Sequence, residues 1–179
     1  MAASGGPLSG VTVVDLSRIL AGPYCTMMMA ELGARVNKND DDKAVLDKLL
    51  EKADIIVENF RPGTMENLGF GWERLHEKFP KLIYVSASGF GHSGPDMYRP
   101  AYDMVVQGMG GIMSVTGHEG APPTRIGTSI GDIGSGLYAA IGAMSALFHR
   151  AGTGEATKVD ISMFDCQLAL LENAIMRYF

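Results

Sequence analysis

The chain has 179 residues, 46% hydrophobic and 20% charged, enough for one domain with a substantial core and cramped for two. Its net charge of -5 supplies no basic footprint, which argues against nucleic acid or an anionic membrane as partner. The two cysteines, Cys25 and Cys166, lie far apart without metal-type spacing, as in a reduced, intracellular protein.

No N-terminal run pairs basic residues with a long apolar stretch, and no apolar run approaches the ~18 residues of a membrane span. The cytoplasm is the expected address, with an organelle matrix as the alternative. Residues 1–7 read as a loose start. Val11–Asp15 is a β-branched run ending in an acid, followed by a loop over 17–23 and a helix pattern through Met27, Met28, Ala30 and Leu32 to Gly33. Strand, loop and helix in that order begin an α/β unit, and the loop at the strand's carboxyl end is where such folds bind ligands. Met27, Met28 and Met29 suit core packing better than a soft metal site.

Gly33–Val36 turns into a second strand but runs into the polar stretch 37–42, which reads as a solvated connection. Its acids would hold a hard cation only if the fold converged them. Val45, Leu46, Leu49 and Leu50 recur at helical spacing within Lys43–Lys52. Asp54–Glu58 is a buried strand, and Asn59–Gly63 its carboxyl-end loop. Short helices follow over Thr64–Leu68 and Trp72–Phe79, then a strand over Leu82–Ser88 and a glycine-rich loop over Gly89–Pro95. That loop lacks both the G-x-G-x-x-G spacing and a following Lys-Ser/Thr pair, so nucleotide hydrolysis has no support. His76, His92, His118 and His149 stand alone, without a nucleophile pattern or H-E-x-x-H, and read as surface or hydrogen-bonding residues.

Tyr102–Met109 reads as a helix closed by Gly110 and Gly111, with a loop rich in glycine and proline through Gly117 to Gly127. The next helix opens within Thr128–Gly136, continues through the apolar run to Phe148 and stops at Gly152–Gly154. A strand over Thr157–Ser162 and a helix over Phe164–Phe179 complete the chain. The repeated β-α pattern predicts an α/β fold, a largely parallel sheet covered by helices on both faces. Asp132 falls in the first turn of its helix, where unsatisfied N–H groups and the dipole favour an ionised carboxylate at neutral pH. Gly131, Gly134 and Gly136 leave its approaches open, as a carboxylate nucleophile requires. The local pattern by itself fits a plainer role, because Ser129-x-x-Asp132 before an apolar run resembles a capping box.

Several stretches occur together in order: Val14-Asp-Leu-Ser-Arg-Ile-Leu-Ala-Gly-Pro23, Leu32-Gly-Ala-Arg-Val36, Asp54-Ile-Ile-Val-Glu-Asn-Phe-Arg-Pro-Gly63, Ser88-Gly-Phe-Gly91 with Ser93-Gly-Pro95, Arg99-Pro-Ala-Tyr-Asp103, and Gly131-Asp132. Jointly they resemble the class III CoA transferases, the family of formyl-CoA transferase and relatives of carnitine CoA-transferase, whose superfamily also holds acyl-CoA racemases. The resemblance covers nearly the whole chain. It implies a Rossmann-like large domain over 1–179 and transfer of CoA from an acyl-CoA thioester to a free carboxylic acid. Asp132 takes the nucleophile's position, forming a mixed anhydride and then an aspartyl-CoA thioester, and Asp103 matches an acid close to it. Arg18, Ile19, Ala21, Asn59, Phe60 and Tyr102 match contacts to CoA. Coenzyme A is a substrate in this scheme, with no permanently bound cofactor and no metal, and two chains interlock as a homodimer.

Three departures accompany the resemblance. Leu20 stands where formyl-CoA transferase has a glutamine, which counts against formate or oxalate as substrates. The connection at 37–42 is short where family members carry a long insertion with a basic residue for the CoA phosphates. Members are roughly twice this length, and their carboxyl-terminal small domain, with a glycine-rich loop over the nucleophile, has no counterpart here. A racemase of the same superfamily is the nearest rival, but it uses a histidine where this chain has Tyr102. A phenol with an ordinary pKa near ~10 is a poor base at neutral pH. The rival from another class is a non-catalytic CoA-binding fragment.

Overall fold

The computed structural model describes residues 5–38 and 43–178. Its strands are β1 (Thr12–Asp15), β2 (Arg35–Lys38), β3 (Ile55–Glu58), β4 (Ile83–Ser88) and β5 (Lys158–Ser162), interleaved with α1 (Ala21–Glu31), α2 (Lys43–Leu50), α3 (Thr64–Leu68), α4 (Trp72–Lys78), α5 (Asp103–Met109), α6 (Ile130–Thr153), α7 (Met163–Ala169) and α8 (Glu172–Tyr178). All five strands pair in parallel, in the order β2-β1-β3-β4-β5. Parallel neighbours need crossovers, and helices make them, so the expected α/β architecture is present.

Alternating strand residues feed two cores. On one face Val13, Ile55, Val57, Ile83 and Val85 pack with Cys25 and Met29 of α1 and the alanine row Ala139, Ala140, Ala143 and Ala146 of α6. On the other, Val14, Ile56 and Tyr84 pack with Leu46 and Leu50 of α2, Met65 of α3 and Leu75 of α4. A strand buried on both faces must read as an unbroken apolar run, as Ile55–Val57 does. The far end of α6 is pinned by Arg150, whose guanidinium meets the Asp54 carboxylate at 2.7 Å and the Lys81 carbonyl at 2.7 Å.

Helix α6 has 24 residues and is long and apolar enough to cross a membrane by length and composition, contrary to the sequence expectation. Its alanine face lies in the first core instead. Strand β2 extends through Asn37 and Lys38, which the sequence assigned to a connection; they pair with Val14 and Asp15, so backbone pairing overrides weak strand propensity. The acids of that connection, from Asp40 onward, lie outside the described residues, as do residues 1–4 of the loose start.

Helix α1 begins at Ala21 rather than beyond Pro23, because a proline in the first turn lacks only an N–H that has no helical partner. The single helix expected over Phe164–Phe179 is two, α7 and α8. The backbone tightens between them, with Leu170 N–H shared between the Cys166 and Gln167 carbonyls and Leu171 N–H on Leu168. Phe179 itself is outside the described residues. A 3₁₀ turn at Ile112–Val115 is also present; nothing in the periodicity marks so short an element.

Candidate active site

The chain runs from β1 outward to β2 and then returns to place β3 on the other side of β1. The order reverses between β1 and β3, and the crevice beyond their carboxyl ends is where open α/β sheets bind ligands. Arg18 and Asn59 meet there, far apart in sequence. The Arg18 N–H donates to Asn59 Oδ1 at 2.8 Å and Asn59 Nδ2 donates to the Arg18 carbonyl at 2.6 Å. The Arg18 guanidinium lies 5.8 Å from the Phe60 ring centroid. Loops after β1 and β3 are thereby clasped into one clip.

Asp15 holds the first half of the clip. One carboxylate oxygen accepts the Ser17 N–H at 2.7 Å and a short bond from Ser17 Oγ, and the other accepts Thr26 Oγ1 at 2.8 Å. Ile19 projects beyond it, 77% exposed. At φ 67° it is the one non-glycine residue with positive φ among those described, a conformation costly for a β-branched side chain. Ala21 does not share that exposure; it is buried at the start of α1.

Helix α1 joins the clip to Asp132. A Cβ on Gly22 would lie 3.5 Å from Asn59 Cγ, and one on Gly136 would lie 2.7 Å from the Ala21 carbonyl oxygen. Gly136 stands four residues after Asp132 on α6, one turn along. The first turn of α1 therefore touches the clip on one side and the Asp132 helix on the other. Tyr102, 69% exposed, precedes α5, and Asp103 opens that helix.

Asp103 lies beside the start of α6, close enough for its charge to act on Asp132. Its Oδ1 accepts the Gly131 N–H at 2.8 Å and its Oδ2 accepts Gln107 Nε2 at 2.6 Å. Ser129 precedes α6 but its side chain caps nothing, so the capping-box reading does not hold; Asp103, from another helix, satisfies the Gly131 amide. Burial and then the like charge of Asp103 push the Asp132 carboxyl from its ordinary 3.8 up to about 6. The helix terminus does not hold Asp132 low, yet a group with that pKa is still mostly ionised at pH 7. A raised pKa in a half-buried site marks a carboxylate more basic, and so more nucleophilic, than one on the surface.

The supporting residues that sequence reasoning missed are Gln107 and Gln167, both fully buried. Gln107 Oε1 accepts the Ile126 N–H at 2.9 Å and its Nε2 also reaches the Thr128 carbonyl at 3.2 Å, fixing the loop that leads into α6. Gln167 Nε2 donates to the Val106 carbonyl at 2.9 Å. The i, i+4 spacing of Asp103 and Gln107 was a readable signal; Gln167 gave none. Burial pushes the Cys25 and Cys166 thiols up, to about 12 and about 11, so neither competes as a nucleophile.

The sequence model of CoA-transferase family III matches residues 8–38 and 37–179. The chain belongs to CoA-transferase family III. Acetyl-CoA:oxalate CoA-transferase of Acetobacter aceti is 39% identical over 211 residues, covering 96% of this chain and 54% of that protein. Succinyl-CoA:mesaconate CoA-transferase of Haloarcula hispanica is 34% identical over 220 residues, 97% of this chain and 56% of the relative. The crystal structure of a CAIB/BAIF family protein from Brucella suis superposes with a TM-score of 0.94 at 34% identity, covering 98% of this chain and 58% of that one. The chain thus spans little more than half the length of the relatives it matches. Those alignments are longer than the chain itself, and the two stretches matched by the family III model meet at the end of β2.

Proposed function

We propose that this family III chain transfers CoA from an acyl-CoA thioester to a free carboxylic acid through a covalent intermediate on Asp132. The observation that carries the reading is Asp132 itself, a half-buried carboxylate beside Asp103, on a helix that α1 couples to the Arg18–Asn59 clip. In the first step an Asp132 oxygen attacks the thioester carbonyl, the C–S bond breaks, and the CoA thiolate leaves a mixed anhydride. The thiolate then attacks the aspartyl carbonyl, releasing the first carboxylate and forming aspartyl-CoA. The acceptor carboxylate attacks that thioester, and the returning thiolate takes the new acyl group, freeing Asp132. Charge moves between oxygen and sulfur without any net proton transfer, so no general base is needed.

The clip supports CoA binding in this reading, with Ile19 and Phe60 offering apolar surface beside the Arg18 cation. Acceptors are small carboxylic acids, the class named for both relatives above. The same reading takes the chain to act as a homodimer in the cytoplasm, for which light scattering should give twice the 19.1 kDa of one chain.

The deciding experiment is intact mass spectrometry of the chain incubated with acetyl-CoA and succinyl-CoA. A CoA-sized adduct that is absent in Asp132→Ala is the expected result, followed by transfer to succinate or mesaconate. An adduct that persists in Asp132→Ala would overturn the assignment, as would wash-out of the α-hydrogen of a branched acyl-CoA without any acceptor.

A further inference from the structure

Glu58 ends β3 one residue before Asn59, and only 1% of it is exposed. Alternation along β3 turns it toward the α2–α4 face, away from the helix that carries Asp132. Its Oε2 accepts the Phe60 N–H at 2.8 Å, and its Oε1 accepts the Tyr84 hydroxyl at 3.3 Å and lies 3.8 Å from His92 Nε2. His92 is itself held, with Nδ1 3.2 Å from Lys158 Nζ and its N–H on Asp160 Oδ2 at 2.8 Å. Among the described residues its Nε2 is buried without a hydrogen-bond partner, facing the Glu58 carboxylate. The groups around Glu58 are thus Tyr84 of β4, His92 of the following loop, Lys158 of β5 and Glu66 of α3, whose like charge opposes ionisation.

Burying a carboxylate is costly, and an apolar residue would pack here without that cost. The arrangement repeats at the neighbouring strand: Asp15 ends β1, is 3% exposed, and accepts the amide two residues on, as Glu58 does. These two buried acids flank the crevice, one under each half of the clip. We infer that Glu58 is a positioning residue for CoA, holding the Phe60 amide so that Asn59 and Phe60 stay aligned with Arg18. The inference rests on the CoA reading above and assigns to that site a support lying on the opposite face of the sheet from the nucleophile.

The test measures CoA affinity by calorimetry from pH 6 to 8, with hydrogen exchange at the Phe60 and Arg18 amides, for the wild-type chain, Glu58→Ala, Glu58→Gln and Leu75→Ala. Leu75 belongs to the same apolar cluster but not to the clip, and controls for lost stability. Glu58→Ala should weaken CoA about tenfold, the effect of orphaning one part-buried amide, and deprotect both amides; Leu75→Ala should leave affinity unchanged. Glu58→Gln keeps an acceptor and should bind within about threefold of wild type, with the difference closing as pH falls to 6 and the wild-type carboxyl protonates. Unchanged affinity in Glu58→Ala overturns the inference while leaving the CoA site intact. A wild-type chain that protects both amides yet fails to bind CoA overturns the CoA reading and this inference with it.

Discussion

Asp132 sits in two opposing fields, and their balance sets its chemistry. The N-terminus of α6 favours its anion by about 1 kcal/mol or less, while burial and Asp103 oppose it and prevail, raising the pKa to about 6. On the proposed mechanism, transfer should fall about tenfold per pH unit below about 6, as Asp132 protonates. Asp103→Asn removes the like charge, and the acid limb of the pH–rate profile should move to lower pH. Because the folded-state pKa lies above 3.8, Asp132 costs stability as pH rises from about 4 through about 6. Asp132→Asn should lose the adduct yet be more stable at pH 7 by about 1 kcal/mol in urea denaturation, a figure reduced for solvent screening of a half-exposed group. That gain should vanish below pH 4. Sequence alone marked Asp132 and Asp103 and read the first as ionised at neutral pH, but it could not show the upward push on its pKa, since its burial depends on how α5 and α7 pack around α6.

Helix α6 shows how one element meets two demands. Near its start it must lie against α1, and a Cβ on Gly136 would stand 2.7 Å from the Ala21 carbonyl, backbone that cannot rotate away. Gly136→Ala should cost about 1–3 kcal/mol by overpacking and lower transfer as well, because the displaced turn of α1 carries the clip. Near its end a Cβ on Gly152 would meet no described atom of another element within 4 Å, and Gly152→Ala should add about 0.5–1 kcal/mol from helix propensity alone. Chemical denaturation of the two variants gives opposite signs if the packing is as described. The glycines of α6 were legible as unusual, but only the neighbouring elements distinguish a glycine required by contact from one that is merely tolerated.

At the scale of the whole molecule, the sheet collects buried charge at the carboxyl ends of its strands, and stability responds to pH accordingly. Burial foremost raises Glu58 from 4.5 to about 7. A carboxyl raised in this way costs folding stability progressively as pH climbs from about 4.5 to about 7, so Glu58→Gln should flatten the stability profile over that window. At pH 8 the variant should exceed wild type by about 2–3 kcal/mol in denaturant titrations; a wild-type profile that rises over the same window would contradict this environment for Glu58. The helix and strand periods, the parallel α/β class, the Asn59–Phe60 and Gly131–Asp132 motifs, and with them the family, were legible along the chain, because apolar period and short motifs are local properties. The strand order that opens the crevice between β1 and β3, the pairing of Asn37 and Lys38 into β2, the mutual bonds of Arg18 and Asn59, and the raised pKa values of Asp132 and Glu58 emerge in the folded chain. These depend on which distant backbone pairs with which and on how much water is excluded, and neither is written in the order of neighbouring residues.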